Sequence, residues 1–100
     1  MSRLSVVLEA WEIFESKLGG DLNMPDIAER SDISSRTLEY AFKEIVGRTP
    51  IGFFKVMRLH RARRLILSGD VPTVRDAATR CGIRHFGRFS IDYRLQFGEQ

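Results

Sequence analysis

One hundred residues suit one domain with a modest core, and 43% apolar with 29% charged residues is a globular composition that excludes a disordered chain. No apolar run approaches the roughly 18 residues that span a bilayer, and the first five residues lack the basic-then-apolar start of a signal peptide. The lone Cys81 cannot close an internal disulfide, so the chain reads as cytoplasmic, with no membrane association and no implied cofactor. The formal net charge of +3 hides an asymmetry. Three basic residues face seven acidic ones up to Asp32, whereas 13 basic face six acidic from Ile33 onward. A basic half of this kind is the footprint of a surface that neutralises phosphates, or equally of a solubilising surface, or of one that meets an acidic protein.

The first predicted helix runs from Ser5 to Leu18, with Val6, Val7, Leu8, Trp11, Ile13, Phe14 and Leu18 set among Glu9, Glu12 and Glu15. Gly19-Gly20 ends it, and Trp11 and Phe14 are its expected core anchors. A second helix starts at Asn23-Met24-Pro25-Asp26, where Asn23 can cap, Pro25 is tolerated in the first turn and Asp26 suits the helix dipole. It reaches about Arg30 with Ile27 and Ala28 inward, and Ser31-Asp32-Ile33 forms a turn plugged by Ile33. The third helix opens at Ser34 as cap and repeats apolar residues at Leu38, Ala41, Phe42, Ile45 and Val46, before Gly47 closes it. A short helix, a tight turn and a longer helix with a polar start make a helix-turn-helix.

Thr49-Pro50 begins a connecting helix to about Ser68, roughly 28 Å long at 1.5 Å per residue. Ile51, Phe54, Met57, Leu59, Ala62, Leu65, Ile66 and Leu67 are its expected buried side. Lys55, Arg58, Arg61, Arg63 and Arg64, with His60, form a basic side, some of which must be structural. A basic amphipathic helix also suits a membrane surface, but the preceding helices need its apolar face as core. Thr73-Val74-Arg75-Asp76 caps another short helix with Ala77 and Ala78 inward, Cys81-Gly82 makes its turn, and Ile83 lies inward after it. The last helix covers about His85 to Phe97, with Phe89, Tyr93 and Phe97 inward and Gly98 as its stop.

The two halves repeat. Asp26-Ile27-Ala28 aligns with Asp76-Ala77-Ala78, and Ile33 with Ile83. With one extra residue, Leu38, Phe42, Val46 and Gly47 then fall over Phe89, Tyr93, Phe97 and Gly98. The expected fold is therefore all-α, with two helix-turn-helix subdomains joined by a long connecting helix. Its segments are residues 1–48, 49–68 and 69–100, within one domain. Successive major-groove segments on one face of B-DNA lie about 34 Å apart, a spacing this connector suits.

The exposed face of each longer helix carries the candidate readers. In the first unit Ser35, Arg36, Glu39 and Tyr40 are placed for base contacts: Arg36 for guanine or a phosphate, Glu39 for a cytosine amine, Tyr40 for a thymine methyl or a phosphate. In the second unit Phe86, Gly87, Arg88 and Ile91 occupy corresponding exposed positions, Phe86 and Ile91 being suited either to thymine methyls or to local packing. Ser34, Lys43, Lys55, Arg84, His85 and Arg94 are the expected phosphate partners, which set register rather than sequence. Enzymatic signatures fail: Gly47-Arg48-Thr49-Pro50-Ile51-Gly52 lacks the lysine and hydroxyl of a phosphate loop, and Cys81 with His85 makes an incomplete zinc set. Cys81 reads instead as a small core or turn residue.

These residues resemble the C-terminal DNA-binding domain of the AraC/XylS family of bacterial transcription regulators. The resemblance runs from Leu22 to Gly98. It rests on Ile27-Ala28, then on Ser34, Leu38, Phe42-Lys43, Gly47 and Pro50, then on Arg58-Leu59, Ala62-Arg63, Leu65 and Leu67. It continues through Ala78, Gly82, Phe89, Tyr93 and Phe97-Gly98. It implies seven helices, binding of double-stranded promoter DNA in adjacent major grooves, and activation through RNA polymerase. Any effector or dimerisation domain would lie outside this chain, which reads as an excised domain truncated at its C-terminus. Ile83 stands where the family has Phe, Arg84-His85 where it has a capping residue, Gly87 in the first turn, and Asp92 where an apolar residue is usual.

Overall fold

The computed structural model describes residues 2–98 and, among them, contains six helices and no strand. In order these are α1 (Arg3–Ser16), α2 (Met24–Ser31), α3 (Ser35–Ile45), α4 (Pro50–Ser68), α5 (Val74–Arg80) and α6 (Phe86–Phe97). The chain divides into two compact units. The first holds the residues up to Lys17 with Asp21–Lys55, and the second holds Leu18–Gly20 with the residues from Val56 onward. The division falls inside α4, a single helix of 19 residues. No helix among the described residues is long and apolar enough to cross a membrane.

The first unit is built on α1, α2 and α3, closed by the start of α4. Val6, Val7, Ala10 and Phe14 of α1 lie on one arc of the helix and are buried with Ile27, Leu38, Ala41, Phe42 and Phe54. Phe14 is the centre of this core, its ring 5.8 Å from Phe42, 6.2 Å from Phe53 and 5.4 Å from Phe54. Trp11, expected as an anchor, is 42% exposed. It lies one residue's turn of about 100° beyond Ala10, at the margin of the buried arc. Leu8 is exposed as well, and Ile45 is exposed although its angle suits the core, because it is the last residue of α3.

Local chemistry fixes the helix ends. Ser2 accepts the Ser5 N–H and starts α1 two residues before the expected position; Lys17 caps its other end ahead of Gly19-Gly20. Asn23 and Asp26 form a reciprocal capping box at α2, the Asp26 N–H to Asn23 Oδ1 distance being 2.9 Å. The turn after α2 is braced by buried Ser31, which donates to the Ile27 carbonyl at 2.6 Å and accepts the Ile33 N–H at 3.2 Å. Asp32 there takes a left-handed φ of 57°, conformationally costly for a residue with a Cβ. Ile33 is half-buried behind it.

The second unit has its own core of Leu59, Ala62, Val71, Ala77, Ala78, Cys81, Phe89 and Tyr93, against which Leu65, Ile66, Ile83, Phe86 and Phe97 pack in part. Leu67, expected on the buried side of α4, is 67% exposed because it turns away from Ile66 by about 100°. Burial pushes the Cys81 thiol up from its ordinary pKa, against the lowering effect of the Arg61, Arg58 and Arg64 guanidiniums. Two of α4's cations are structural. Arg58 donates from its guanidinium to the Gly20 carbonyl, and half-buried Arg63 lies over the Phe97 ring at 5.0 Å. His60 meets the same ring edge-on at 5.0 Å.

Gly82 closes the turn between α5 and α6 with φ 75°, and a Cβ there would meet Gly19 backbone atoms at 3.1 Å and the Arg58 guanidinium at 3.2 Å. Gly82→Ala combines a strained backbone with that crowding. It should lower stability by about 1–3 kcal/mol in urea denaturation, whereas an unstrained Gly→Ala change gains up to about 1 kcal/mol.

Candidate nucleic-acid interface

On α3 the buried residues Leu38, Ala41 and Phe42 define one side, and Arg36, Glu39, Tyr40 and Lys43 share the opposite, exposed side. Ser34 caps the helix by accepting the Thr37 N–H at 3.2 Å, and its hydroxyl also donates to Thr37 Oγ1 at 2.9 Å. Ser35 is half-buried at the edge of the face. Tyr40 is 62% exposed, with the Arg3 guanidinium 5.7 Å from its ring centroid. Arg3 also pairs with Glu44, so one cation from the acidic helix α1 sits beside the exposed face of α3. Lys55, still in the first unit, is exposed on α4.

On α6 the buried side is Phe89 and Tyr93, and Phe86 and Phe97 extend it at the same three- and four-residue spacing. Phe86, expected among the exposed positions, is therefore half-buried: its ring lies 5.8 Å from Phe89 and carries the Arg75 guanidinium at 4.4 Å. Gly87, Arg88, Ile91 and Arg94 are exposed, with Arg84 and His85 just ahead of the helix. Leu95, 78% exposed, continues the line of Arg88 and Ile91, an exposure that its apolar side chain does not signal. Arg88 pairs with Asp92 through Nε at 3.1 Å, so an acidic residue holds the guanidinium one turn earlier. An exposed pair of this spacing contributes a few tenths of a kcal/mol and yields readily to a better partner.

α2 with α3, and α5 with α6, are each a short capped helix, a turn and a longer helix that leaves an arginine on its exposed side. The helix-turn-helix domain family matches residues 27–100. The chain belongs to the AraC/XylS family. Among its AraC-family relatives, the transcriptional activator RhaS of Escherichia coli (strain SE11) is 34% identical over 96 residues, which are 96% of this chain and 33% of that protein. The probable thc operon regulatory protein of Rhodococcus erythropolis is 30% identical over 95 residues, 93% of this chain and 29% of that protein. This chain thus spans about a third of the length of these curated relatives. A crystal structure of a probable AraC family regulator from Rhodopseudomonas palustris CGA009 superposes with TM-score 0.85 at 34% identity, covering 96% of this chain and 90% of that one. A regulator from Chromobacterium violaceum with an AraC-type DNA-binding domain gives 0.89 at 30% identity, covering 97% and 86%.

Within this AraC-type domain Gly87 stands in the first turn of the second longer helix. A Cβ there would meet nothing within 4 Å. Gly87→Ala should raise stability by a few tenths of a kcal/mol, up to about 1, through helix propensity. If the bare backbone serves close approach to DNA, the same change weakens duplex binding, which thermal unfolding and a binding titration on one sample will separate.

Proposed function

We propose that the chain is a sequence-specific double-stranded DNA-binding module, reading two successive major-groove segments with α3 and α6. The observation that carries this reading is the doubling of one arrangement. In each unit the longer helix buries its apolar seam and leaves an arginine, Arg36 or Arg88, exposed on its outer face. Arg36 and Arg88 are the guanine readers, aided by Ser35, Glu39 and Tyr40 on α3 and by Gly87 and Ile91 on α6. Lys43, Lys55, Arg84, His85 and Arg94, with the Ser34 hydroxyl, hold phosphates and set register. The module works in the cytoplasm on promoter DNA. RhaS is named an activator, which supports an activating role through contact with RNA polymerase. It acts by binding and not by catalysis.

A salt titration on a duplex tests the reading. Each neutralised phosphate contributes about −0.9 to the slope of log affinity against log salt, so four cationic phosphate contacts give a slope of about −4. A slope near zero, with tight binding to an acidic protein instead, would favour an interaction module using the same basic face. Equal competition by duplex RNA would point to RNA.

A further inference from the structure

The start of α6 lacks the device that starts the other capped helices. Asn23, Ser34 and Thr73 each accept a first-turn backbone N–H through a side-chain oxygen at α2, α3 and α5, whereas His85 makes no such bond. Gly87 follows in the same turn, where a glycine adds backbone freedom. An uncapped, glycine-containing first turn is a poor mount for a base-reading side chain, because spread in the backbone becomes spread in the position of Arg88. What stands there is an aromatic ring with a cation on it. Phe86, the first residue of α6, packs in part against the second unit's core and lies 5.8 Å from Phe89. The guanidinium carbon of Arg75, an exposed residue in the first turn of α5, is 4.4 Å from the Phe86 ring centroid. The ring's negative face attracts the cation, and the contact links the first turns of the two helices of this helix-turn-helix.

We propose that Arg75 is a positioning residue for the second reading helix. Lying over Phe86, it stands in for the missing cap and holds the first turn of α6, and with it Arg88, in one geometry. The proposal rests on the DNA reading given above, and it gives Phe86 a bracing role in place of a base contact. Where a side-chain cap is absent and a glycine loosens the turn, an aromatic residue and an arginine meet.

The test uses the 100-residue chain with Arg75→Ala, Phe86→Leu, the double variant and Phe86→Tyr, which keeps a ring. Hydrogen exchange over residues 84–90 is measured without DNA. Base discrimination is measured by competition with duplexes altered at single positions. Arg75→Ala should speed first-turn exchange about two- to fivefold and lower discrimination by a similar factor at the positions α6 reads, leaving those read by α3 unchanged. Phe86→Leu should do the same, the double variant should be no worse than either single one, and Phe86→Tyr should restore both readouts. Unchanged exchange with a uniform loss on every duplex would make Arg75 a phosphate contact and overturn the proposal. Additive effects of the two single variants would overturn it as well. A wild-type chain that binds all duplexes alike, with exchange still coupled between Arg75 and Phe86, would uphold the brace and condemn the DNA reading instead.

Discussion

Phe14→Ala is expected to cost about 3–5 kcal/mol of folding stability, the range for emptying a fully buried aromatic site. Phe14 is wholly buried, and three other rings, Phe42, Phe53 and Phe54, converge on it from α3 and the start of α4. Those rings are fixed by their own helices, so the cavity can close only in part. Against a total of about 5–15 kcal/mol for a small domain, a loss of this size leaves the first unit marginal at ambient temperature. Urea denaturation followed by the fluorescence of Trp11, the chain's single tryptophan, reads the first unit directly. A loss below about 1 kcal/mol would mean that the four-ring cluster is not what holds α1 onto α3.

The second large effect concerns recognition. Arg36→Ala should lose about 1–3 kcal/mol of discrimination at the base pair it reads, roughly 5- to 150-fold, while affinity for other sequences falls much less. Lys43→Ala should instead weaken every duplex alike and reduce the salt slope by about 1. Both residues are exposed on one side of α3, seven residues and two turns apart, so the two substitutions compare proposed groove and backbone roles within a single helix. Measured as affinities for a panel of single-base variants, uniform losses for both substitutions would contradict the assignment of this face to the groove.

What could be read from the sequence was what is decided locally. The Asn23, Ser34 and Thr73 caps and the left-handed stops at Gly47 and Gly98 depend on residues within one turn of each other. The apolar seams of α3 and α6 follow from three- and four-residue spacing alone, apart from Ile45 at the very end of α3. Trp11 and Leu67 were misplaced because composition marks a residue as apolar but not how far a neighbouring helix extends over it. Arg58 was grouped with a basic face although its guanidinium bonds to Gly20, a partner 38 residues away that no local pattern could supply.

The candidate interface divides in the same way. The exposed side of α3 follows from periodicity, whereas Phe86, whose position matches an exposed one on α3, lies on the packed side of α6. The spacing of Phe86, Phe89, Tyr93 and Phe97 already contained that answer, since the first continues the seam of the other three. Arg3 beside Tyr40 and Arg75 over Phe86 depend on how helices pack, and only the packed chain shows them. The Arg88–Asp92 pair was within reach of the sequence: an acid four residues after an arginine is a helix pair.

The most direct measurement of the central claim is selection of binding sites by this chain from a random duplex library. Two reading helices predict a bipartite site with two conserved base clusters about 10 base pairs apart, the cluster read by α3 depending on Arg36 and the one read by α6 on Arg88. Enrichment of one cluster alone, indifferent to Arg88→Ala, would contradict a two-helix reader, and no enrichment at all would contradict sequence-specific binding.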